Sequence, residues 1–127
     1  MKLEIELKEV SNVVNFLDGL TLAGLKGINR TKLTRHLVTI LQEEAENEKA
    51  LQKESKDKPK QWLEKELKDF YSQKIVVEGG KFLKPLEVIK AKIKEITSEE
   101  STYEFQGNDS AAAFVLYEAF NLGEGNE

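Results

Sequence analysis

Ile75-Val76-Val77-Glu78-Gly79-Gly80 is the stretch that decides the fold, because the long segments on both sides of it have a helical pattern. Three consecutive β-branched residues favour a strand, and the two glycines after them indicate a turn. A second strand pattern covers residues 2–7, where Leu3, Ile5 and Leu7 alternate with charged residues. The chain therefore combines a small sheet with several helices.

Working outward from these strands, apolar residues recur at helical spacing in five segments. The spacing predicts helices from about Val10 to Asp18, from Asn29–Thr31 to about Lys56, from Pro59 through Tyr71, over residues 85–97, and onward from Asn108 or Asp109. The second and third are predicted to form an antiparallel hairpin. Eight residues on these apolar stripes are expected to be mostly buried: Leu37, Ile40, Trp62, Phe70, Ile89, Ile93, Val115 and Phe120.

Three segments are less regular. Lys81–Leu83 either return as a hairpin strand or lead straight into the helix over 85–97, and the second alternative is favoured. Tyr103-Glu104-Phe105 has the pattern of a short third strand. The stretch from Gly19 to Asn29 contains three glycines among leucines and isoleucine, so it is expected to lie against the core.

The predicted fold class is α+β, with four or five helices, including the central hairpin, packed on a two- or three-stranded sheet. A chain of 127 residues predicts a single domain over 1–127, with 123–127 as a frayed C-terminus. The longest apolar run, Ala111 to Tyr117, is far too short to span a membrane. Cysteine is absent and the start has no apolar signal core, which favours a cytoplasmic location.

No catalytic or metal-binding constellation is evident in the sequence. His36 is the only histidine, and its helical neighbours Lys32, Leu33, Thr39 and Ile40 offer no further ligand. The glutamates between positions 43 and 48 belong to a run of charges that also contains Lys49, Lys53 and Lys56. Such a run of mixed charges is typical of a solvated helix face. The glycines fit neither the dinucleotide-binding nor the Walker spacing. We therefore expect no enzyme activity, no catalytic residue, no metal and no cofactor.

Four short motifs occur in a characteristic order. They are Leu20-Thr21-Leu22-Ala23-Gly24, Arg30-Thr31-Lys32, Ile75-Val76-Val77-Glu78-Gly79 and Leu116-Tyr117-Glu118-Ala119-Phe120. This order resembles the uncharacterised family domain of unknown function 1617, which occurs in tailed phages and prophages of Gram-positive bacteria. The chain departs from the family pattern where Ile28-Asn29 replaces an expected serine. The resemblance implies a phage or prophage setting in the cytoplasm of a bacterial host, and it carries over no activity.

The charges are distributed unevenly along the chain. Residues 19–42 contain four cations and no acid, whereas residues 95–127 contain eight acids and no lysine or arginine. The four cations are candidate partner-binding residues: Lys26, Arg30, Lys32 and Arg35. Because the last three are expected in the first turns of a helix, a phosphate or an acidic partner would suit them. The competing interpretation is that they pair with the chain's own acidic C-terminal segment.

A second candidate surface is acidic and comprises Glu99, Glu100, Glu104, Asp109 and Glu118. The leading functional hypothesis is a protein-interaction component of a phage, either an assembly accessory or a binder of a host factor. The first alternative is an acidic inhibitor of a host defence enzyme that acts on nucleic acid, by nucleic-acid mimicry. The second is weak nucleic-acid binding through residues 26–36, which an acidic chain makes less favourable. The oligomeric state is left open.

Overall fold

A computed structural model describes residues 1–123, in which helices predominate. The elements follow in the order β1 (Leu3–Glu6), α1 (Leu7–Asp18), α2 (Leu25–Glu54), a 3-10 turn (Ser55–Asp57), α3 (Lys60–Ser72), β2 (Lys74–Val77), α4 (Gly80–Ile96) and α5 (Asp109–Ala119). The predicted α+β class is confirmed, with five α-helices and one small sheet in the described residues. The frayed end predicted for 123–127 lies outside those residues, apart from Gly123.

The sheet consists of β1 and β2, paired antiparallel with Leu3 opposite Val77 and Ile5 opposite Ile75. All four of these side chains are buried, because alternate residues of a strand point to the same face. The ladder is extended by the amide of Leu7, which donates to the carbonyl oxygen of Gln73 at 2.9 Å. The two strand patterns in the sequence thus form one half-buried ribbon.

Helix α1 lies at the centre of the packing. It contacts α2 on one side and α5 on the other, while α4 packs against α2. Six of its twelve residues are buried: Leu7, Val10, Val13, Val14, Phe16 and Leu17. They join the inward face of the sheet and the buried stripes of α2, α4 and α5 in one hydrophobic core. The helix hairpin predicted for α2 and α3 is also present, with the 3-10 turn as its connection.

The first turns of α4 differ from the prediction, because the helix begins at Gly80 and includes residues 81–83. The favoured alternative, in which the chain passes directly into a helix, is confirmed, but the helix starts five residues earlier than predicted. Pro85, the first residue of the predicted helix, lies inside α4, where it removes one backbone hydrogen bond. Gly79 has a φ of 108°, which lets the chain leave β2 and enter α4 without a connecting loop.

Helix α2 also begins earlier than predicted, at Leu25 rather than at Asn29–Thr31. The expectation that the whole stretch from Gly19 to Asn29 lies on the core is therefore wrong in part. Leu20 is buried and Leu22 is partly buried against the core, whereas Leu25 and Ile28 are exposed. The two exposed residues lie on the outer side of the first helical turn, which is why they do not reach the core.

The predicted third strand at Tyr103–Phe105 is not formed, and these residues are irregular backbone. Their side chains pack as an aromatic cluster instead. The rings of Tyr103 and Phe105 lie 4.8 Å apart between centroids, and Phe105 lies 6.2 Å from Phe16 of α1. Aromatic packing onto α1 thus accounts for the apolar alternation that suggested a strand.

The eight residues expected to be mostly buried divide into two groups. Leu37, Ile89, Ile93 and Phe120 are buried. Ile40, Trp62, Phe70 and Val115 are only partly buried, because the core thins toward the hairpin and along one edge of α5. Among the described residues, no helix is both long enough and apolar enough to cross a membrane.

Candidate functional site

Arg30, a predicted partner-binding residue, is engaged within the fold. Its Nη1 atom donates hydrogen bonds to the carbonyl oxygens of Leu17 at 2.8 Å and Leu20 at 2.7 Å. Carbonyl groups at the end of a helix have no partner within the helix, and a cation suits its negative end. Arg30 therefore closes the C-terminal end of α1 and joins it to α2. This role depends on a contact across ten or more residues, so the sequence pattern did not indicate it.

The outer side of α2 carries a row of four residues: Leu25, Ile28, Lys32 and Arg35, which we call the basic face. They follow one another at spacings of three and four, so they lie along one side of the helix. Leu25 is 74% exposed and Ile28 is 53% exposed, and both cations are exposed as well. Neither Lys32 nor Arg35 forms an ion pair with any residue between 1 and 123. The basic face thus combines free positive charge with exposed aliphatic surface.

The predicted anion site at the start of this helix is not supported by the backbone. Since α2 begins at Leu25, Lys32 and Arg35 lie in its second and third turns rather than its first. The amides of Lys26, Gly27 and Ile28 donate to the carbonyl oxygens of Ala23 and Gly24 at 3.1–3.3 Å. The hydrogen-bond donors that would attract an anion to this end are therefore already used.

Lys26, the fourth predicted cation, faces a different groove from Lys32 and Arg35. This groove runs between the start of α2 and the side of α4, and Lys84, Lys92, Glu87 and Glu95 also line it. Lys92 pairs with Glu95 at 3.3 Å. The groove is consequently mixed in charge, and the structure does not join Lys26 to the basic face.

The interpretation that the basic segment pairs with the chain's own acidic segment finds no support among the described residues. The ion pairs there are local, joining Lys2 to Glu4, Lys8 to Glu6, Lys49 to Glu46 and Lys92 to Glu95. None of them connects residues 26–35 with residues 99–118. Helix α5, which contains Asp109 and Glu118 of the acidic segment, packs mainly against α1, α4 and β1 rather than along α2.

An open groove lies between the end of α4, the segment before α5 and α5 itself, and four of the predicted acidic residues are close in sequence to the residues that line it. Its walls are the aromatic and small side chains of Thr97, Phe105, Ser110, Ala113, Phe114 and Tyr117, and its volume is about 300 Å³. Phe114 is 57% exposed. Glu99 and Glu100 follow Thr97 in the turn after α4, Glu104 precedes Phe105, and Glu118 lies one helical turn beyond Phe114. We call this surface, from Thr97 to Glu118, the acidic groove.

Two details of the acidic groove differ from the prediction. Asp109 is partly buried in the first turn of α5, whereas the other four predicted acids are exposed. Glu118 also lines a neighbouring groove together with Glu4, Glu6 and Glu9 of the N-terminal strand and helix, and with Lys74 of β2. Folding therefore extends the acidic surface with residues that are distant in sequence, which the charge count along the chain did not reveal.

His36 packs against an aromatic ring rather than against other polar groups. Its ring lies 4.4 Å from that of Phe82, with the two planes tilted by 39°. Lys81 places its Nζ atom 5.3 Å from the centre of the same Phe82 ring. No group of three or more histidine, aspartate or glutamate side chains in residues 1–123 is arranged to hold a metal ion. The prediction that His36 is an ordinary helix histidine agrees with this packing.

Tyr71 joins the two helices of the hairpin by donating a hydrogen bond from its hydroxyl to the carboxylate of Glu48. This hydrogen bond, with burial and the nearby negative charge, raises the pKa of Tyr71 above its ordinary value of 10.0. The distal half of α2 has few apolar residues, so this bond supplements a light hydrophobic contact. Sequence reasoning placed Tyr71 on an apolar stripe and missed its polar partner.

Replacing Tyr71 with phenylalanine should lower the free energy of unfolding by about 1 kcal/mol at neutral pH, because one hydrogen bond to a charged group is lost at a partly solvated site. A raised pKa in the folded state stabilises the fold below about pH 10, and this contribution is lost as the pH rises through the folded pKa. The difference between wild type and Tyr71→Phe in urea unfolding should therefore shrink above pH 10. Glu48→Gln provides the control. If the difference stays constant as the pH rises above 10, the stabilising role of the hydrogen bond between Tyr71 and Glu48 is contradicted.

Comparison of the chain with protein-family models, curated proteins and solved structures finds no match. The candidate sites thus stand on the geometry of this chain: a basic face with exposed aliphatic residues on α2, and an acidic groove beside the exposed Phe114 of α5.

Proposed function

We propose that this chain is a non-enzymatic protein-interaction component of a phage or prophage that acts in the cytoplasm of its bacterial host. Its role is that of an assembly accessory or of a binder of a host factor. The phage setting rests on the resemblance of the four sequence motifs to domain of unknown function 1617. The interaction role rests on the surface of α2.

The observation that carries the interaction role is the composition of the basic face. Exposed large aliphatic residues usually occur singly on a monomer, whereas apolar residues grouped and rimmed by charge are typical of protein-binding surfaces. Leu25 and Ile28 are neighbours on one helical turn, and Lys32 and Arg35 continue the same row. Aliphatic side chains of this kind gain free energy when a partner covers them, while the cations select an acidic partner.

A charge reversal on the basic face tests this role. Lys32→Glu with Arg35→Glu should reduce capture of the partner by about tenfold or more, which corresponds to about 1.4 kcal/mol. Because both side chains are exposed, the free energy of unfolding should change by no more than about 0.5 kcal/mol. The measurement is affinity capture from infected or lysogenic cells, with the captured proteins identified by mass spectrometry and their amounts compared between variants.

The matched control is Lys65→Glu with Lys68→Glu on α3. These two lysines are exposed and have the same spacing of three, and the substitutions change the net charge equally. The control should capture the same partner as the wild type. If the two reversals reduce capture equally, net charge rather than the basic face governs binding, and the proposal fails.

The acidic surface supports one alternative function, inhibition of a host defence enzyme by nucleic-acid mimicry. Four predicted acids, Glu99, Glu100, Glu104 and Glu118, are exposed, and Glu118 lines a groove with three N-terminal glutamates and Lys74. A mimic of this kind would compete with duplex DNA for a nuclease, and high salt would weaken the competition.

Direct nucleic-acid binding through residues 26–36 has less support, because Arg30 is engaged within the fold and Lys26 faces a groove of mixed charge. A salt-dependent gel shift separates that function from the others.

A further inference from the structure

The basic face and the acidic groove are opposite in charge, and each of them exposes apolar side chains. The basic face presents two aliphatic side chains, Leu25 and Ile28, next to two cations on a convex helix. The groove presents aromatic and small side chains, and the exposed Glu104 and Glu118 directly adjoin two of its lining residues, Phe105 and Tyr117, in the sequence. Apolar contact and the pairing of opposite charges therefore both favour association of the two surfaces when water is excluded.

Within one molecule these two surfaces do not meet. No ion pair between residues 1 and 123 joins them, and the members of the basic face are all exposed. Helix α2 uses its other sides to pack against α1, α3 and α4, so the row from Leu25 to Arg35 faces away from the core. The complementarity can consequently be satisfied only between molecules.

We infer that the basic face of α2 binds the acidic groove of a second copy of this chain, in a head-to-tail contact. The inference rests on the proposed function, since it names the partner of the same face. Leu25 and Ile28 insert against Phe105, Phe114 and Tyr117 of the neighbouring copy. Lys32 and Arg35 lie beside glutamates at the rim of the groove, which include Glu118.

This contact joins two different surfaces, so a pair keeps the acidic groove of one copy and the basic face of the other copy free. Contacts of this type produce closed rings or open chains, depending on the rotation between neighbouring copies. They also differ from a two-fold symmetric dimer, in which each copy uses the same surface. The difference can be measured by mixing variants.

The test uses two double variants of the full chain. Lys32→Glu with Arg35→Glu removes the basic face and leaves the groove intact, while Phe114→Ala with Glu118→Lys removes the groove and leaves the basic face intact. All four side chains are exposed, so both variants should keep the far-ultraviolet circular dichroism and melting temperature of the wild type. Should the glutamate variant lose its fold, Lys32→Gln with Arg35→Gln replaces it.

Sedimentation equilibrium is measured from about 1 µM to about 1 mM, since interfaces below about 1,200 Å² bind weakly. The wild type should increase in mass with concentration, and each variant alone should remain a monomer. An equimolar mixture of the two variants should form a pair and stop there, because only one intact groove and one intact basic face are available per pair. Raising the salt from about 0.1 M to about 1 M shortens the Debye length from about 10 Å to about 3 Å, which should weaken the association.

Three outcomes would overturn the inference: a wild type that stays monomeric throughout, self-association that both variants retain, or a mixture that does not pair. The failure of the proposed function is separate. If the wild type is monomeric but capture from cells still depends on Lys32 and Arg35, the basic face binds a different protein. If neither measurement depends on these residues, both proposals fail.

Discussion

Replacing Arg30 with methionine is expected to lower the free energy of unfolding by about 2–3 kcal/mol, because it removes a charged donor from two backbone carbonyl groups. Both acceptors belong to buried leucines, Leu17 and Leu20, at the end of α1. The carbonyl oxygen of Leu17 also accepts from the amide of Leu20 at 3.2 Å, so most of the loss arises at Leu20 and in the loop that leads to α2. Urea unfolding monitored by circular dichroism measures the change.

The matched control is Arg35→Met, which makes the same chemical change five residues farther along the same helix. Arg35 is exposed and makes no ion pair within residues 1–123, so its replacement should change the free energy of unfolding by no more than about 0.5 kcal/mol. Arg30→Lys should lie between the two, since one ammonium group reaches fewer acceptors than a planar guanidinium. Equal effects of the two methionine variants would show that Arg30 is not a capping residue.

The contrast between Arg30 and Arg35 shows how far the sequence predicts the candidate site. Charge counting found the cluster of cations correctly, because net charge over a segment requires no knowledge of the fold. It did not separate Arg30 from its neighbours, since that distinction depends on carbonyl groups ten and thirteen residues away. The same limit applies to Glu4, Glu6 and Glu9, which reach Glu118 only through the packing of α5 beside β1.

The fold was more predictable than the site, for a physical reason. The strands and the buried stripes of α1 and α4 follow from local periodicity, and the sequence indicates them directly. The residues at which helices and strands begin and end depend on smaller differences in free energy. Pro85 is tolerated inside α4, and Gly24 and Gly79, both with positive φ, start helices several residues before the apolar stripes become regular. The aromatic pair at Tyr103 and Phe105 suggested a strand because packing onto a helix produces the same alternation.

Ile89→Ala is the second substitution with a large expected effect. Ile89 is completely buried on α4, within the hydrophobic core that joins the sheet, α1, α2 and α5. Removing three methyl or methylene groups loses their transfer free energy and leaves a cavity that the surrounding side chains fill only in part. The free energy of unfolding should therefore fall by about 2–5 kcal/mol. Equilibrium unfolding in urea, with the slope compared between variants, measures it.

The matched control is Ile40→Ala, which removes the same atoms from α2. On its apolar stripe Ile40 has the same pattern as Ile89, and the sequence alone predicts a similar loss for both. The structure separates them, because Ile40 is only partly buried at the margin of the core, where water and neighbouring side chains occupy the space that a truncated residue leaves. We expect its replacement to cost about 1 kcal/mol, well below the loss at Ile89. Equal losses at the two positions would mean that the core extends farther toward the hairpin than the packing of α2 and α3 indicates.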